Sequence, residues 1–260
     1  MFDCKSLQSN YLERVTCCCV GTWSQNDLGS KVYIVLMKTL ALVGLAIGSL
    51  AAPASSQVTT LDEGSFTITT KGERSGREDF RIRSTPGANG PEMVATATVS
   101  YADRRVLPQM RADQNGVPAQ YVVEVKNGPT VDERVTGLVG RNRVSAHVKN
   151  ARGESANEFV VSPGALVIDD DVFHQYYFLV KRSGPVSVIV PRENAQVTMR
   201  VSAAGTETVS IGGTSIEAKR FNIADPGGAD REVWTDGAGR VLKVAIPSRG
   251  IVALRDDPPR

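Results

Sequence analysis

Cysteine is absent from most of the chain, because the four cysteines of the sequence all lie within its first 19 residues. Exported proteins either pair their cysteines or omit them, and the part after residue 36 omits them. This absence excludes a disulfide framework and a thiolate zinc site from that part. It also argues against a lipid-anchored lipoprotein, which needs a cysteine for lipid attachment.

Histidine is scarce too, with only His147 and His174 in the chain. His147 alternates with valines, a pattern typical of an ordinary residue of a strand. Asp170 lies four residues before His174, a spacing that can share one helical face, but a metal site would need further ligands from elsewhere. Capping of a helix start is sufficient to explain the acid. We therefore assign no metal ligand.

An excess of charge of one sign is lacking, and so are catalytic motifs. The formal net charge is +2, and basic and acidic residues are interspersed, which argues against a nucleic-acid partner. Residues 213–217 begin like a nucleophile elbow but lack its final glycine. We predict no catalytic residue, no cofactor and no enzymatic activity. A hydrolase with acids dispersed over several strands is the alternative.

The stretch MKTLALVGLAIGSLAAPASSQ, residues 37–57, has the three parts of a secretory leader. Lys38 is the positive part, residues 40–50 are the apolar part, and small residues at 52–54 suit a signal peptidase. We predict a cleaved signal peptide, export to the periplasm or cell envelope of a Gram-negative-type bacterium, and no stable membrane span in the mature form. The alternative is a signal anchor over residues 32–52.

Residues 1–36 differ from the rest of the chain, most clearly in the run Cys17-Cys18-Cys19. We predict that they are a disordered upstream extension and that translation starts at Met37. The alternative is a cytoplasmic tail, palmitoylated at these cysteines beside an anchor.

Residues 58–260 show the pattern of short strands separated by turns. Apolar and polar residues alternate in segments such as 65–69, 79–83 and 93–101. The clearest hairpin joins residues 231–235 to 240–246 through Asp236-Gly237-Ala238-Gly239, where both glycines can take positive φ. The pattern predicts one all-β domain, an antiparallel meander curled into an incomplete barrel or a sandwich.

One segment near the middle breaks the strand pattern and predicts a short amphipathic helix near residues 171–182. Phe173, Tyr176, Tyr177 and Val180 recur at the spacing of one helical face. An aspartate at 170 or 171 can cap its start, and Gly184-Pro185 can end it. We expect its aromatic face to pack on the sheet.

Three segments carry a resemblance to known families: GSFTITTKGERSGREDFRIR near the start, LVIDDDVFHQYYFLVKR in the middle and REVWTDGAGRVLKVAIPSRG near the end. In pattern and order they resemble exported bacterial families of unknown function whose fold is similar to the LolA/LolB lipoprotein carriers. The resemblance implies an extended meander curled into an incomplete β-barrel, closed by a hairpin that contains Trp234. It implies no catalytic residues.

Two functional hypotheses follow for the predicted domain. In the first, the curved sheet binds an apolar ligand such as a lipid or acyl chain, because a half-open barrel leaves an apolar concave face. The predicted ligand-binding residues are Phe173, Tyr176, Tyr177, Val180 and Trp234. In the second, the domain is a scaffold or protein-interaction module of the envelope that uses exposed sheet edges.

Overall fold

Fifteen strands make up most of residues 57–260, which are the residues that this computed structural model describes. The first eight strands are β1 (Thr59–Thr70), β2 (Glu73–Gly87), β3 (Gly90–Tyr101), β4 (Arg104–Asp113), β5 (Pro118–Asn127), β6 (Thr130–Val139), β7 (Arg143–Asn150) and β8 (Gly153–Val160). The others are β9 (Leu166–Val167), β10 (Gly184–Val190), β11 (Ala195–Ile211), β12 (Thr214–Ala224), β13 (Arg231–Thr235), β14 (Val241–Ile246) and β15 (Ile251–Arg255). The predictions for residues 1–36 and for the leader up to residue 56 lie outside the described residues.

The strands form a single sheet in the order β8-β7-β6-β5-β4-β3-β2-β1-β15-β14-β13-β12-β11-β10-β9. Neighbours are antiparallel except β9 and β10, which are parallel. The first and last strands pair in the middle of the sheet, so its two edges are β8 and β9. The predicted antiparallel all-β meander is confirmed, and it is one unclosed sheet. Among residues 57–260, no helix is long and apolar enough to cross a bilayer.

Strand β4 was not predicted from the sequence, and it carries Pro108 in its middle. Val106, Pro108, Met110 and Ala112 are buried and alternate with more exposed residues. The pairing of β4 with β3 is interrupted between Val106 and Gln109, since proline has no N–H to donate to a ladder. The pairing with β5 continues through Pro108. Burial of the alternating side chains therefore keeps this segment in the sheet.

The main core lies on the inner face of the sheet, and nearly every strand contributes to it. Its fully buried members include Phe66, Ile82 and Tyr121. A separate, smaller cluster lies on the opposite face of β13 and β14. Val233 belongs to the main core and Trp234 to the smaller cluster, because successive side chains of a strand point to opposite faces.

The two ends of the sheet meet through side chains rather than through strand pairing. Val188 of β10 lies in the main core, whereas its neighbour Ile189 faces the other way. Ile189 packs with Val144 of β7 and with Val161 and Ala165 of the β8–β9 connection. This contact curls the sheet into a roll whose edge strands do not pair with each other.

The predicted helix near residues 171–182 is much shorter in the structure, where α1 covers only Tyr176–Leu179. Its N-cap is Gln175, and no side chain caps it, so the predicted cap by an aspartate at 170 or 171 is wrong. The reason is that these aspartates pair with arginines from other parts of the chain. Residues 172–180 are all buried, so the segment is not amphipathic but enclosed on every side. Residues 169–180 are called the plug below.

The predicted hairpin between β13 and β14 is confirmed. Gly239 has φ of 81°, but Gly237 lies outside the left-handed region, so only one glycine needs positive φ. The carboxylate of Asp236 shapes the turn by accepting bonds from the N–H groups of Ala238 and Arg240. These side-chain hydrogen bonds hold the turn with only one glycine in the left-handed region.

Candidate functional site

The plug brings together four of the five predicted ligand-binding residues. Phe173, Tyr176, Tyr177 and Val180 are at most 7 % exposed and belong to the main core. The backbone around them runs through the inside of the roll, where side chains of the surrounding strands fill the space. The aromatic face that the sequence indicated is therefore packed against protein. Its role in binding a ligand stays a prediction.

Trp234, the fifth predicted residue, does not join the other four. It lies on the opposite face of β13, 3 % exposed, and its Nε1 donates a hydrogen bond to Glu207 at 3.0 Å. The Nζ atom of Lys243 lies 4.1 Å from the centroid of its ring, a cation–π contact. The structure thus separates Trp234 from the plug by the thickness of the sheet.

A buried pair of Glu78 and His174 attaches the plug to β2. The two side chains are at most 1 % exposed, and Glu78 Oε1 lies 2.5 Å from His174 Nδ1. The same carboxylate accepts hydrogen bonds from the backbone N–H groups of Phe173 at 2.6 Å and His174 at 3.0 Å. Phe80 stacks on the imidazole at a centroid distance of 5.9 Å. The pair is sealed from solvent, and its hydrogen bonds fix the start of the buried segment to β2.

Glu78 was not identified from the sequence, although a signal was present. It alternates with Phe80 and Ile82, and all three are buried on the inner face of β2. A carboxylate at an inward position of a strand needs a buried partner, because burying a charge alone is costly. The partner lies 96 residues further along the chain, and no local pattern connects the two.

Each of the three consecutive aspartates of the plug is paired with a different set of arginines. Asp169 is fully buried, accepts a hydrogen bond from the hydroxyl of Tyr121, and lies 3.1 Å from Nε of Arg192. Burial raises the pKa of Asp169, and the nearby Arg192 opposes that rise. Asp171, half exposed, pairs with Arg104 at 3.0 Å and with Arg192 at 3.3 Å.

Asp170 connects the plug to the second half of the sheet. It accepts hydrogen bonds from Arg231 at 2.7 Å and Arg249 at 2.6 Å. Arg231 is 2 % exposed and also donates to Asp225 at 2.7 Å. Burial alone would raise the pKa of Asp170, but the hydrogen bonds from the two arginines outweigh it and lower the pKa. Asp170 does not share a site with His174, and the described residues include no group that could hold a metal ion.

Open pockets lie at the surface of the roll and away from the plug. One of about 730 Å³ lies between residues 257–260 and strands β1 to β3. Another of about 880 Å³ lies beside the loop of residues 225–230. Residues 172–180 line neither of them. The concave face of the sheet is therefore filled by the plug itself.

The two edges of the sheet differ sharply in exposure. Strand β9 has only two residues, Leu166 and Val167, and both are at most 2 % exposed. Strand β8 has eight residues, none of them buried, and its last residue, Val160, is 76 % exposed. Every residue of β8 pairs with β7, and the other side of β8 has no neighbouring strand in the described sheet. The backbone groups on that side are free to bind another chain.

The register of the β7–β8 hairpin identifies which backbone groups of β8 face outward. Its two-residue loop is closed by the pair Asn150 and Gly153. The closing pair of such a loop is hydrogen-bonded, and hydrogen-bonded and non-hydrogen-bonded pairs then alternate. The residues whose N–H and C=O groups point away from β7 are therefore Glu154, Ala156, Glu158 and Val160. The free edge offers four donors and four acceptors in a row.

Comparison with known proteins finds that part of the described chain is similar to a known domain family. Residues 141–254 match a domain of unknown function, DUF6134. That match extends from the turn before β7 into β15. It covers less than half of the chain, so it describes a similarity of this region.

Among solved structures, the chain is similar to a crystal structure of a β-barrel-like protein of domain of unknown function DUF1849 from Brucella abortus. The two share 8 % sequence identity with a TM-score of 0.48, over 78 % of this chain and 98 % of that one. No curated protein matches the sequence. Neither similarity names a lipoprotein carrier.

Proposed function

We propose that this protein is a non-enzymatic interaction module of the bacterial cell envelope, and that an extended segment of a partner adds to the free edge of β8. One observation supports this above all. Strand β8 is a full-length edge strand with no buried residue, whereas β9 is short and buried. Strand addition to such an edge supplies affinity through main-chain hydrogen bonds.

The side chains of β8 are compatible with this role. Proteins protect edge strands from unwanted pairing with proline, inward charges, bulges or a covering element. Within β8 there is no proline, and its pairing with β7 has no register shift. Glu154 and Glu158 are its only charged residues, and both pair with cations of β7. The edge is thus polar, but none of these devices prevents strand addition.

The location in the envelope rests on the predicted leader at residues 37–57. If that leader directs export, β8 faces the periplasm or the surface of an envelope assembly. Sequencing the N-terminus of the protein purified from its own host tests this part. Recovery of a mature chain that starts near residue 57 supports export, and a chain that keeps residues 37–57 opposes cleavage.

The apolar-ligand hypothesis ranks second because the plug occupies the concave face that the ligand would need. It keeps a test of its own, in which the protein is purified from its host and analysed by native mass spectrometry. A bound lipid or acyl chain in stoichiometric amount would favour the hypothesis. Detection of the unliganded protein alone, together with no binding of an apolar dye, would oppose the hypothesis.

The β8 proposal is tested with a photo-crosslinking amino acid placed at Ala156 in the full chain, expressed in the native host. The matched control position is Thr96, which is exposed on β3 in the interior of the sheet. We expect a specific protein adduct from position 156 and none from position 96. Equal adducts from both positions would contradict a role for the edge.

A pair of substitutions then separates the backbone of β8 from its side chain. Ala156→Pro removes the outward N–H group at the centre of the edge, while Ala156→Ser keeps it. For these variants the crosslinker is placed at Val160. We expect Ala156→Pro to lower the adduct yield at least tenfold and Ala156→Ser to leave it within twofold. Equal yields from both variants would show that strand addition is not involved.

A further inference from the structure

The free edge of β8 is complementary to itself. We propose that its partner is a second copy of this chain, with the two β8 strands antiparallel about a two-fold axis at Asn157. This inference rests on the proposed function, because it names the partner of the same edge. The outward backbone groups, the order of charges and the exposed side chain at the end of the strand all favour it.

The backbone restricts the possible registers. In an antiparallel pair, residues that face each other across a hydrogen-bonded position must both direct their N–H and C=O groups toward the other strand. In β8 these are residues 154, 156, 158 and 160. A two-fold axis at residue 157 pairs 154 with 160 and 156 with 158, so all four are used in both copies. Axes at 156 and at 158 each leave one of the four unpaired.

The charges select the same register. With the axis at Asn157, Glu154 faces Val160 of the second copy, and Glu158 faces Ala156. With the axis at residue 156, Glu154 would face Glu158 of the second copy. With the axis at residue 158, Glu158 would face Glu158 of the second copy. Like charges directly opposite each other destabilise a pair of strands. Only the register centred on Asn157 avoids both repulsions while using the whole edge.

This pairing also covers the most exposed large apolar side chain of the described residues. Val160 is 76 % exposed in the single copy. In the pair it lies beside the aliphatic part of Glu154 of the second copy, on the face that carries Arg143 next to it. Glu154 of the second copy keeps its ion pair with Lys149 of its own copy. In the dimer it also approaches a second cation, Arg143 of the first copy. The two-fold axis repeats this contact, so Val160 and Glu154 meet twice in the dimer.

The size of the contact predicts a weak dimer. One strand from each copy buries less surface than the roughly 1,200–2,000 Å² of stable complexes. We therefore expect a dimer that dissociates on dilution, in equilibrium with the monomer.

Disulfide trapping tests the register, because the described residues contain no cysteine of their own. In the proposed pair Asn157 faces itself at a non-hydrogen-bonded position, where Cα atoms are about 4.5 Å apart, within the range of a disulfide. The test uses the full chain with Cys4, Cys17, Cys18 and Cys19 replaced by serine, and it adds Asn157→Cys. The matched control adds Ala156→Cys, which would face Glu158 and not itself.

We expect mild oxidation to give at least tenfold more covalent dimer with Asn157→Cys than with Ala156→Cys on a non-reducing gel. Equal or reversed yields would overturn the register, and no dimer from either variant would overturn self-pairing. Sedimentation of the chain without added cysteines provides a second measurement. Ala156→Pro should shift it to the monomer, whereas Ala156→Ser should leave the monomer–dimer equilibrium unchanged.

Different results would contradict self-pairing and edge binding. If the chain stays monomeric at all concentrations while the photo-crosslinker at Ala156 captures a different protein, self-pairing is wrong and edge binding stands. If sedimentation shows no dimer and the crosslinker gives no adduct, both are wrong.

Discussion

The plug and the β7–β8 hairpin both contain carboxylates paired with cations, but the surroundings of the pairs are opposite. In the plug, Asp170 is paired with Arg231, whose side chain is 2 % exposed. In the hairpin, Arg143 and Glu158 form a pair at 3.0 Å with side chains 67 % and 59 % exposed. Both are arginine–carboxylate pairs, and they differ in how far water reaches them.

The difference shows what each region contributes. Buried ionic groups are costly to leave unpaired, so the pairs of the plug hold one arrangement of the interior. Exposed pairs contribute little to stability and keep an edge soluble. Breaking a pair in the plug should therefore destabilise the roll, whereas breaking a pair in the hairpin should change its stability little.

Truncation of an aromatic side chain should separate the regions most strongly. Phe173 is 1 % exposed in the main core, and Phe173→Ala should lower the free energy of unfolding by about 3–5 kcal/mol. Phe159 of β8 is only partly buried, and Phe159→Ala should cost about 1 kcal/mol. Urea denaturation followed by tryptophan fluorescence measures both. Equal losses would mean that the plug is not the centre of the core.

Removal of one arginine from each region compares the ion pairs directly. Arg231→Ala leaves the buried Asp225 without its cation, and we expect a loss of about 3–5 kcal/mol in the free energy of unfolding. Arg143→Ala in the hairpin should cost less than about 1 kcal/mol. The same denaturation experiment applies. A loss of similar size for Arg143→Ala would show that the hairpin pairs are structural as well.

Acid should weaken the contribution of Asp170. Its pKa in the folded protein is below the ordinary value of 3.8, so the ionised carboxylate stabilises the fold above that pH. The contribution is lost as the pH falls through the lowered pKa. We expect Asp170→Asn to cost about 2 kcal/mol at pH 7, and the gap to the unsubstituted protein to narrow below pH ~4. A gap that is constant with pH would contradict the assignment.

Salt should act on the hairpin more than on the plug. A hydrogen bond from Lys149 lowers the pKa of Glu154, whose carboxylate is exposed. At about 1 M salt the Debye length is only ~3 Å, so the pKa of Glu154 should return toward its ordinary value. The pKa of Asp170 should change little. Titration followed by NMR at low and high salt measures both groups, with Lys149→Ala as the control for Glu154.

Most of the strands were predictable from the sequence because their signal is local. Alternation and turn residues indicated β1, β2 and the β13–β14 hairpin, and the structure contains them. Strand β4 was not predicted. Pro108 is unfavourable in a central strand, and the burial that keeps this segment in the sheet depends on other strands. The length of α1 was overestimated for a similar reason. Its apolar spacing suits a helix, but contacts with distant residues bend the chain into turns instead.

The candidate site was predictable only in part. The sequence placed four aromatic and aliphatic residues of the plug on one face, and the structure does bring them together. It also assigned Trp234 to them, and the structure places Trp234 on the other side of the sheet. Alternation along β13 could have indicated this, since Val233 and Trp234 must face opposite ways. Which of the two faced the plug depended on how the sheet curls.

Composition and alternation are local properties, so the all-β class and the approximate positions of most strands could be predicted from the sequence. Tertiary structure decided that β1 and β15 pair, that β8 becomes the exposed edge and that Glu78 meets His174. The pairing of β1 with β15 and the contact of Glu78 with His174 join residues about 95 to 190 positions apart. Such pairings depend on which buried groups must be paired with one another, and this is decided only when the whole sheet curls around the plug.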